Sequence, residues 1–180
     1  MFLSNKIYSI VLCILIICSS CQNQKNKIEI KTIEKLEQIT LKDVSDLENI
    51  NINHIQNNID LGKLNILELE GKELDSISVE LIYFEYREYL NYINQTTAII
   101  NSINNLKHTL TINQKQLNTL KLDYKKSKNK RHDLDEYLKN EKIFVKTTSK
   151  EVKNINTILP QLNAKFDTLN AKIELIIYEN

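Results

Sequence analysis

The sequence predicts an all-α protein: a long, coiled-coil-like antiparallel helical hairpin with a third, shorter helix packed at its open end. The chain of 180 residues has only two glycines and one proline, whereas sheet proteins need many tight turns that draw on both. Apolar residues recur at alternating steps of three and four over two long segments, as on one face of a helix. A short polar connection joins these segments, which favours antiparallel neighbours.

The first 21 residues look like a bacterial lipoprotein signal. A short charged start leads into an apolar run over residues 7–18, and Ser-Ser-Cys21 follows. At about 1.5 Å per residue this run is too short to cross about 30 Å of hydrocarbon. We therefore predict a signal peptide over residues 1–20 and lipidation of Cys21, the mature N-terminus. An ordinary secretory signal and an uncleaved hydrophobic anchor are the alternatives.

The cysteines agree with this interpretation. The chain has three of them, Cys13, Cys18 and Cys21. Two lie in the segment that would be removed, and the third would carry lipid. The mature chain would then have no free thiol, which excludes a disulfide framework, a cysteine metal site and a thiol nucleophile.

The first helix of the predicted hairpin carries an apolar stripe over residues 79–124. Its most regular positions are seven residues apart: Ile82, Tyr89, Thr96, Ile103, Leu110, Leu117 and Tyr124. This spacing is typical of a helix that packs along one seam.

The second helix carries a cleaner stripe over residues 134–176. Its positions form two interleaved sets: Leu138, Val145, Val152, Leu159, Phe166 and Ile173, and Leu134, Glu141, Thr148, Ile155, Leu162, Leu169 and Ile176. Only two of these residues are not apolar, a pattern typical of a coiled coil. Pro160 lies beside the stripe, which keeps its phase across it, so we expect a kinked but continuous helix.

These stripes define a helical domain over residues 41–178. The hairpin would span 76–178 with a tip loop near 125–133, and Asp133 would cap the second helix. The third helix is predicted from apolar residues spaced three to five apart: Leu41, Val44, Leu47, Ile52, Ile55, Ile59, Leu64 and Leu67. Residues 21–40 are predicted to be a polar tether, helical at most in part.

Aromatic and acidic residues gather at the open end of the hairpin. The aromatic residues are Tyr83, Phe84, Tyr86, Tyr89 and Tyr92, and seven acids face only Lys72 and Arg87 over residues 66–90. Tyrosines are favoured at interface hot spots, which suggests a partner-docking patch. Core packing among three helices is the preferred interpretation, and the docking patch is the alternative.

The tip is basic, and its candidate interaction residues are Lys125, Lys126, Lys128, Lys130 and Arg131. Cations at the end of a helix complement its dipole, and this is the preferred interpretation. Contact with phosphate or anionic lipid is the alternative. Because no aromatic residues alternate with the lysines, a nucleic-acid stacking surface is not supported.

No catalytic constellation stands out in the sequence. The three histidines, His54, His108 and His132, are scattered, and none has a second histidine three or four residues away. Gly-rich phosphate loops and HExxH motifs are not present. We therefore predict no enzymatic activity, no metal and no cofactor.

The Cys18-Ser-Ser-Cys21 segment, the Ile/Asn/Lys-rich composition and the periodicity over 79–176 together resemble the uncharacterised helical lipoproteins of Bacteroidota. The resemblance implies location in the cell envelope, at the outer membrane or the periplasmic face. We expect a non-enzymatic protein held on a membrane by lipid on Cys21, with a helical rod that acts through contacts with an envelope protein. The alternative is an envelope protein that binds an apolar ligand or cargo between its helices.

Overall fold

The computed structural model describes residues 26–72, 76–126 and 131–179. Within these ranges the chain is helical except at residues 49–51 and 71–72, and no strand occurs. The helices are α1 (residues 26–48), α2 (Ile52–Glu70), α3 (Ser76–Lys126) and α4 (Arg131–Glu179). The prediction of an all-α fold is confirmed.

The predicted stripes of α3 and α4 are the residues that these helices bury. On α3 the side chains of Tyr89, Ile103 and Leu117 are inaccessible to solvent, and on α4 those of Val152 and Ile173 are. A fully buried aliphatic or aromatic side chain stabilises the fold by about 1.5–3 kcal/mol before entropy is subtracted. Helix α4 continues through Pro160, as expected because the apolar stripe keeps its phase across this residue. Pro160 itself lies at an exposed position.

The structure differs from the tether predicted over residues 21–40. Residues 26–40 belong to α1, where Ile33 is inaccessible to solvent and Leu36 is buried. Both side chains pack in a cluster with Leu117 of α3 and Leu138 of α4. Burial of this short apolar row explains why a segment rich in Lys and Glu is helical.

The structure also divides the third helix predicted from Leu41 to Leu67. The chain leaves the helical conformation at residues 49–51, and α2 then begins at Ile52. Asn51 caps α2, since its side-chain oxygen accepts a hydrogen bond from the His54 N–H at 3.0 Å, a role that asparagine favours. Leu41, Leu64 and Leu67, predicted to be apolar contacts of the third helix, are exposed.

The ends of the helices lie close to the predicted turns. Helix α2 ends at Glu70, and the N–H of its C-cap residue Gly71 donates a hydrogen bond to the Leu67 carbonyl at 3.1 Å. Helix α4 begins at Arg131, before the predicted cap, so that Asp133 lies in the first turn. An acidic side chain in this turn is favourable to the helix dipole.

The chain forms two compact units. Of the described residues, the first contains 26–41 together with 111–126 and 131–146. Its apolar cluster encloses a polar chain, in which the Thr40 hydroxyl donates to Asn113 Oδ1 at 3.2 Å and Asn113 Nδ2 donates to the Glu141 carboxylate. Burial raises the pKa of Glu141. Glu141 is one of the two polar residues in the second stripe, and its carboxylate accepts a hydrogen bond from Asn113.

The second unit contains Lys42–Leu110 and Thr147–Asn180, and it holds the larger apolar cluster. Here α2 approaches α3 closely at Gly62. A Cβ atom at this position would lie 3.1 Å from Ile93 Cδ1 and 3.6 Å from Tyr89 Cζ. The absence of a side chain at Gly62 therefore allows the two helices to pack closely, at a cost of about 1 kcal/mol in helix propensity.

The first prediction tests the seam in the second unit. Leu162→Asp should lower the free energy of unfolding by several kcal/mol, because Leu162 is 6% exposed and an unpaired buried charge is costly. Gln161→Asp is the control, since Gln161 is exposed. Thermal melts followed by circular dichroism measure both variants. Equal losses of melting temperature would contradict the assignment of Leu162 to the seam.

A second prediction concerns a buried acid of the second unit. Asp43 is 3% exposed; its Oδ1 accepts from the Ser149 hydroxyl at 3.2 Å, and its Oδ2 has no hydrogen-bond partner. Burial raises the pKa of Asp43. The folded state therefore binds the proton more tightly than the unfolded state, and stability falls as the pH rises above the unfolded value.

Asp43→Asn should accordingly stabilise the protein at pH 7, by about 1–2 kcal/mol on the scale of an unsatisfied buried group. The gain should shrink as the pH is lowered toward about 4 and vanish below it, where Asp43 is protonated in both states. Glu48→Gln, at an exposed position on the same helix, is the control. Urea unfolding at several pH values checks this, and a gain that does not depend on pH would contradict it.

Candidate functional site

The five aromatic residues proposed from the sequence fall into two groups on α3. Tyr89 and Tyr92 are inaccessible to solvent, whereas Tyr83 and Phe84 are 56% and 69% exposed. Tyr86 lies between these extremes. This division follows from the phase of the helix, because Tyr89 lies on the predicted stripe and Tyr83 and Phe84 lie beside it.

Tyr89 and Tyr92 pack against Phe166 of α4. The ring centroids of Tyr89 and Phe166 are 5.9 Å apart in a stacked arrangement, and those of Tyr92 and Phe166 are 5.1 Å apart in a tilted one. Aromatic pairs of this kind contribute about 0.5–1.5 kcal/mol beyond their buried area. For these two tyrosines the structure therefore agrees with core packing.

A buried polar junction joins α2, α3 and α4 beside these rings. Asn65 Nδ2 donates to Asn170 Oδ1 at 2.8 Å and to the Tyr89 hydroxyl oxygen at 3.3 Å, and the Tyr89 hydroxyl donates to Asn170 Oδ1 at 2.6 Å. Asn170 Nδ2 donates in turn to Glu174 at 2.8 Å. Burial raises the pKa of Tyr89 to about 12. One residue from each of three helices thus takes part in a single set of hydrogen bonds.

The sequence analysis did not identify Asn65 and Asn170. The available signal is that each stands next to an apolar residue of the predicted sets, Leu64 and Leu169 respectively. In a chain so rich in asparagine, that signal does not distinguish them from exposed asparagines.

An open groove of about 270 Å³ lies at the end of α2 and the beginning of α3. Its walls are mainly apolar or aromatic, and the lining residues are Leu69, Glu70, Lys72, Val79, Ile82, Tyr83 and Tyr86. The Tyr86 hydroxyl donates a hydrogen bond to the Glu70 carboxylate, and this bond raises the pKa of Tyr86. The groove therefore combines an apolar floor with a carboxylate at its edge.

Lys72 is engaged at the end of α4. Its ammonium group donates to the backbone carbonyls of Ile176, at 3.4 Å, and of Ile177. These carbonyls lie in the last turn of α4, where no intrahelical donor is available and the dipole is negative. Lys72 thus acts as a cap supplied from the segment that follows α2.

Other cations near the groove also have partners. The Arg87 guanidinium lies 5.7 Å from the centroid of the Tyr83 ring, a cation–π arrangement. Lys172 binds Glu85 at 3.1 Å and thereby lowers the pKa of that carboxyl. Lys165 pairs with Glu88.

The predicted tip residues are described only in part. Lys125 and Lys126 are exposed in the last turn of α3, where cations complement the dipole. Lys128 and Lys130 lie outside the described residues, as does the side chain of Arg131 at the start of α4. Cys21 and the predicted signal peptide also lie outside them.

Within residues 26–72, 76–126 and 131–179, no group of three or more His, Cys, Asp or Glu side chains is arranged to bind a metal ion. None of the described helices combines the length and the apolar character needed to cross a membrane.

Comparison with known proteins gives no relative: no protein-family model matches the chain, and neither a curated protein nor a solved structure is significantly similar to it.

The junction gives a third prediction. Tyr89→Phe should destabilise the protein by about 1 kcal/mol, because it removes a hydroxyl that both donates and accepts buried hydrogen bonds. Tyr92→Phe is a matched control in the same core. The Tyr92 hydroxyl lies near Asn58 and Thr96 but has no hydrogen bond of good geometry. Removing this hydroxyl should therefore lower the free energy of unfolding less than Tyr89→Phe does, or even raise it.

Denaturant unfolding of the two variants compares these effects. If Tyr92→Phe lowered the free energy of unfolding more than Tyr89→Phe, the junction of Asn65, Tyr89 and Asn170 would not hold the helices as described.

Proposed function

We propose that this chain is a non-enzymatic, lipid-anchored protein of the cell envelope that acts through contacts with another envelope protein. The observation that carries the proposal is the open groove, together with the exposed aromatic side chains Tyr83 and Phe84 beside it. Large exposed apolar residues around a concave surface mark sites of interaction. The apolar stripes, by contrast, are occupied by packing within the chain.

The proposal includes the predicted antiparallel hairpin of α3 and α4 over residues 76–178. Contacts within each unit support it. In the second unit, early α3 meets late α4 through Glu85 and Lys172. In the first unit, late α3 meets early α4, since the Tyr124 hydroxyl donates to Asp135 at 2.7 Å. Helix α2 would be the shorter helix at the open end, joined to both through Asn65.

The membrane anchor is proposed from the sequence alone. Lipid on Cys21, with more than one acyl chain such as palmitate, would hold the protein stably on a membrane. Mass spectrometry of the mature N-terminus tests this proposal directly. We expect an acylated cysteine at that end, and an unmodified terminus or a chain that still begins at Met1 would contradict the anchor.

A second candidate function is binding of an apolar ligand, which the groove itself favours. Its volume of about 270 Å³ lies near the lower end of small-molecule sites, which span roughly 300–1,000 Å³. The sequence analysis placed such a ligand between the helices, but the stripe residues of the second unit are packed against one another. A ligand would therefore occupy the groove rather than the seam between the helices.

Site-specific crosslinking tests the protein-contact proposal. A photoreactive phenylalanine analogue is placed at Phe84, beside the groove, and separately at Tyr137, which is 62% exposed on α4. After irradiation of intact cells, the Phe84 position should give a discrete crosslinked species of higher mass, and the Tyr137 position should not. Equal crosslinking at both positions, or none at Phe84, would contradict a docking surface at the groove.

A further inference from the structure

We propose that one end of the first unit, where α1 begins and α3 ends, is the surface of that unit that faces the lipid bilayer. A short link ties this end to the lipid on Cys21, since four residues separate Cys21 from Asn26, the first residue of α1. This inference rests on the proposed lipid anchor and names the part of the chain that lies against the membrane.

The link sets an upper limit on the distance between the anchor and α1. Five steps along the chain lead from the Cα atom of Cys21 to that of Asn26, and they span at most about 18 Å when fully extended. A lipid-bearing residue lies near the boundary between hydrocarbon and headgroups, and the headgroup layer of one leaflet is about 5–8 Å thick. Asn26 therefore lies at most about 13 Å beyond the headgroups.

The start of α1 is bound to the end of α3. Asn26 Nδ2 donates a hydrogen bond to the Tyr124 carbonyl at 3.1 Å. Lys125 and Lys126, both exposed, follow Tyr124 and complete α3. The last turn of α3 is therefore held as close to the bilayer as Asn26 is.

Contacts further along α1 keep this arrangement in place. Ile33 is inaccessible to solvent and packs in a cluster with Leu117 of α3 and Leu138 of α4. The Glu37 carboxylate pairs with the Lys121 ammonium at 2.5 Å. Unwinding α1 to lengthen the link would expose the apolar side chains of this cluster to water, which is unfavourable.

Distance rather than charge carries the inference. Lys125 and Lys126 lie at this end of the unit, but so do the exposed acids Asp123 and Asp133. The described charges are mixed and do not favour an anionic lipid over a zwitterionic one. Because the link itself brings this end to the bilayer, we expect it to lie there on a neutral membrane as well.

The test uses the acylated, mature protein in vesicles of zwitterionic phosphatidylcholine, in which some lipids carry a nitroxide quencher on the headgroup. Because lipid occupies the thiol of Cys21, a cysteine introduced into the mature chain can be labelled selectively with a fluorophore. Lys126→Cys places the label at the proposed surface. Lys115→Cys is the matched control, because Lys115 is another exposed lysine of α3 in the first unit.

We expect the nitroxide lipids to quench the fluorophore of Lys126→Cys at least about twofold more strongly than that of Lys115→Cys, because the two positions are about 17 Å apart along α3. The measurement is repeated with anionic phosphatidylglycerol added to the vesicles. The difference between the two positions should be the same with and without the anionic lipid.

A second pair of variants separates the length of the link from its composition. Inserting Gly and Ser residues between Lys25 and Asn26, to give a link of about 25 residues with an average span of about 25–30 Å, should reduce quenching of the Lys126→Cys fluorophore by about half or more. Replacing residues 22–25 by Gly and Ser at unchanged length is the control, and it should leave the quenching unchanged.

Three outcomes overturn the inference: equal quenching at the two positions, quenching of the Lys126→Cys fluorophore that survives the longer link, or quenching that appears only with anionic lipid. Mass spectrometry of the mature N-terminus, before the protein is placed in vesicles, distinguishes these outcomes from failure of the proposed function. An unacylated terminus would reject the membrane anchor itself, whereas an acylated chain with equal quenching would reject only the membrane-facing surface.

Discussion

Packing of Phe166 between Tyr89 and Tyr92 is the interaction on which the second unit depends. It brings α3 and α4 together over aromatic surface, and the buried hydrogen bonds among Asn65, Tyr89 and Asn170 add α2 to the same junction. Because Tyr89 and Tyr92 face inward, the phase of α3 leaves Tyr83 and Phe84 facing outward. The candidate site is therefore a consequence of how the core is filled.

Buried polar side chains select the arrangement of the helices in both units. Leucine and isoleucine stripes tolerate several registers, since one apolar contact resembles another. A buried amide is more demanding, because an unpaired donor or acceptor costs about 1–3 kcal/mol. In one unit Asn113 is hydrogen-bonded to Glu141, and in the other Asn65 is hydrogen-bonded to Asn170. Each of these hydrogen bonds can form in only one register of the helices.

The sequence predicts those helices in which apolar residues recur at a regular spacing over many turns. The stripe of α4 is sustained long enough that Pro160 does not obscure it, and α4 is continuous. The first part of α1 was predicted to be a tether, helical at most in part, because its apolar row, which includes Ile33 and Leu36, is short and set among charged residues. The break before α2 was missed because Asn51, its cap, stands among many other asparagines and carries no distinguishing local signal.

The candidate site could be predicted only in part, for a similar reason. Periodicity places Tyr89 inward and Tyr83 outward without knowledge of the structure. The groove, however, needs the end of α2 to lie against the start of α3, and this depends on the close approach at Gly62. Spacing along the chain also cannot predict the hydrogen bonds from Lys72 to the α4 carbonyls or from Tyr86 to Glu70. Both connect parts of the chain that come together only in the folded structure.

The central claim is that α2, α3 and α4 form one cooperative core around Phe166, which holds the groove in place. Native-state hydrogen exchange with increasing denaturant tests it most directly. The account predicts that amides of residues 59–66, 89–100 and 162–169 exchange with the same free energy and the same denaturant dependence. Exchange of residues 59–66 at a much lower free energy, with α3 and α4 still protected, would contradict it.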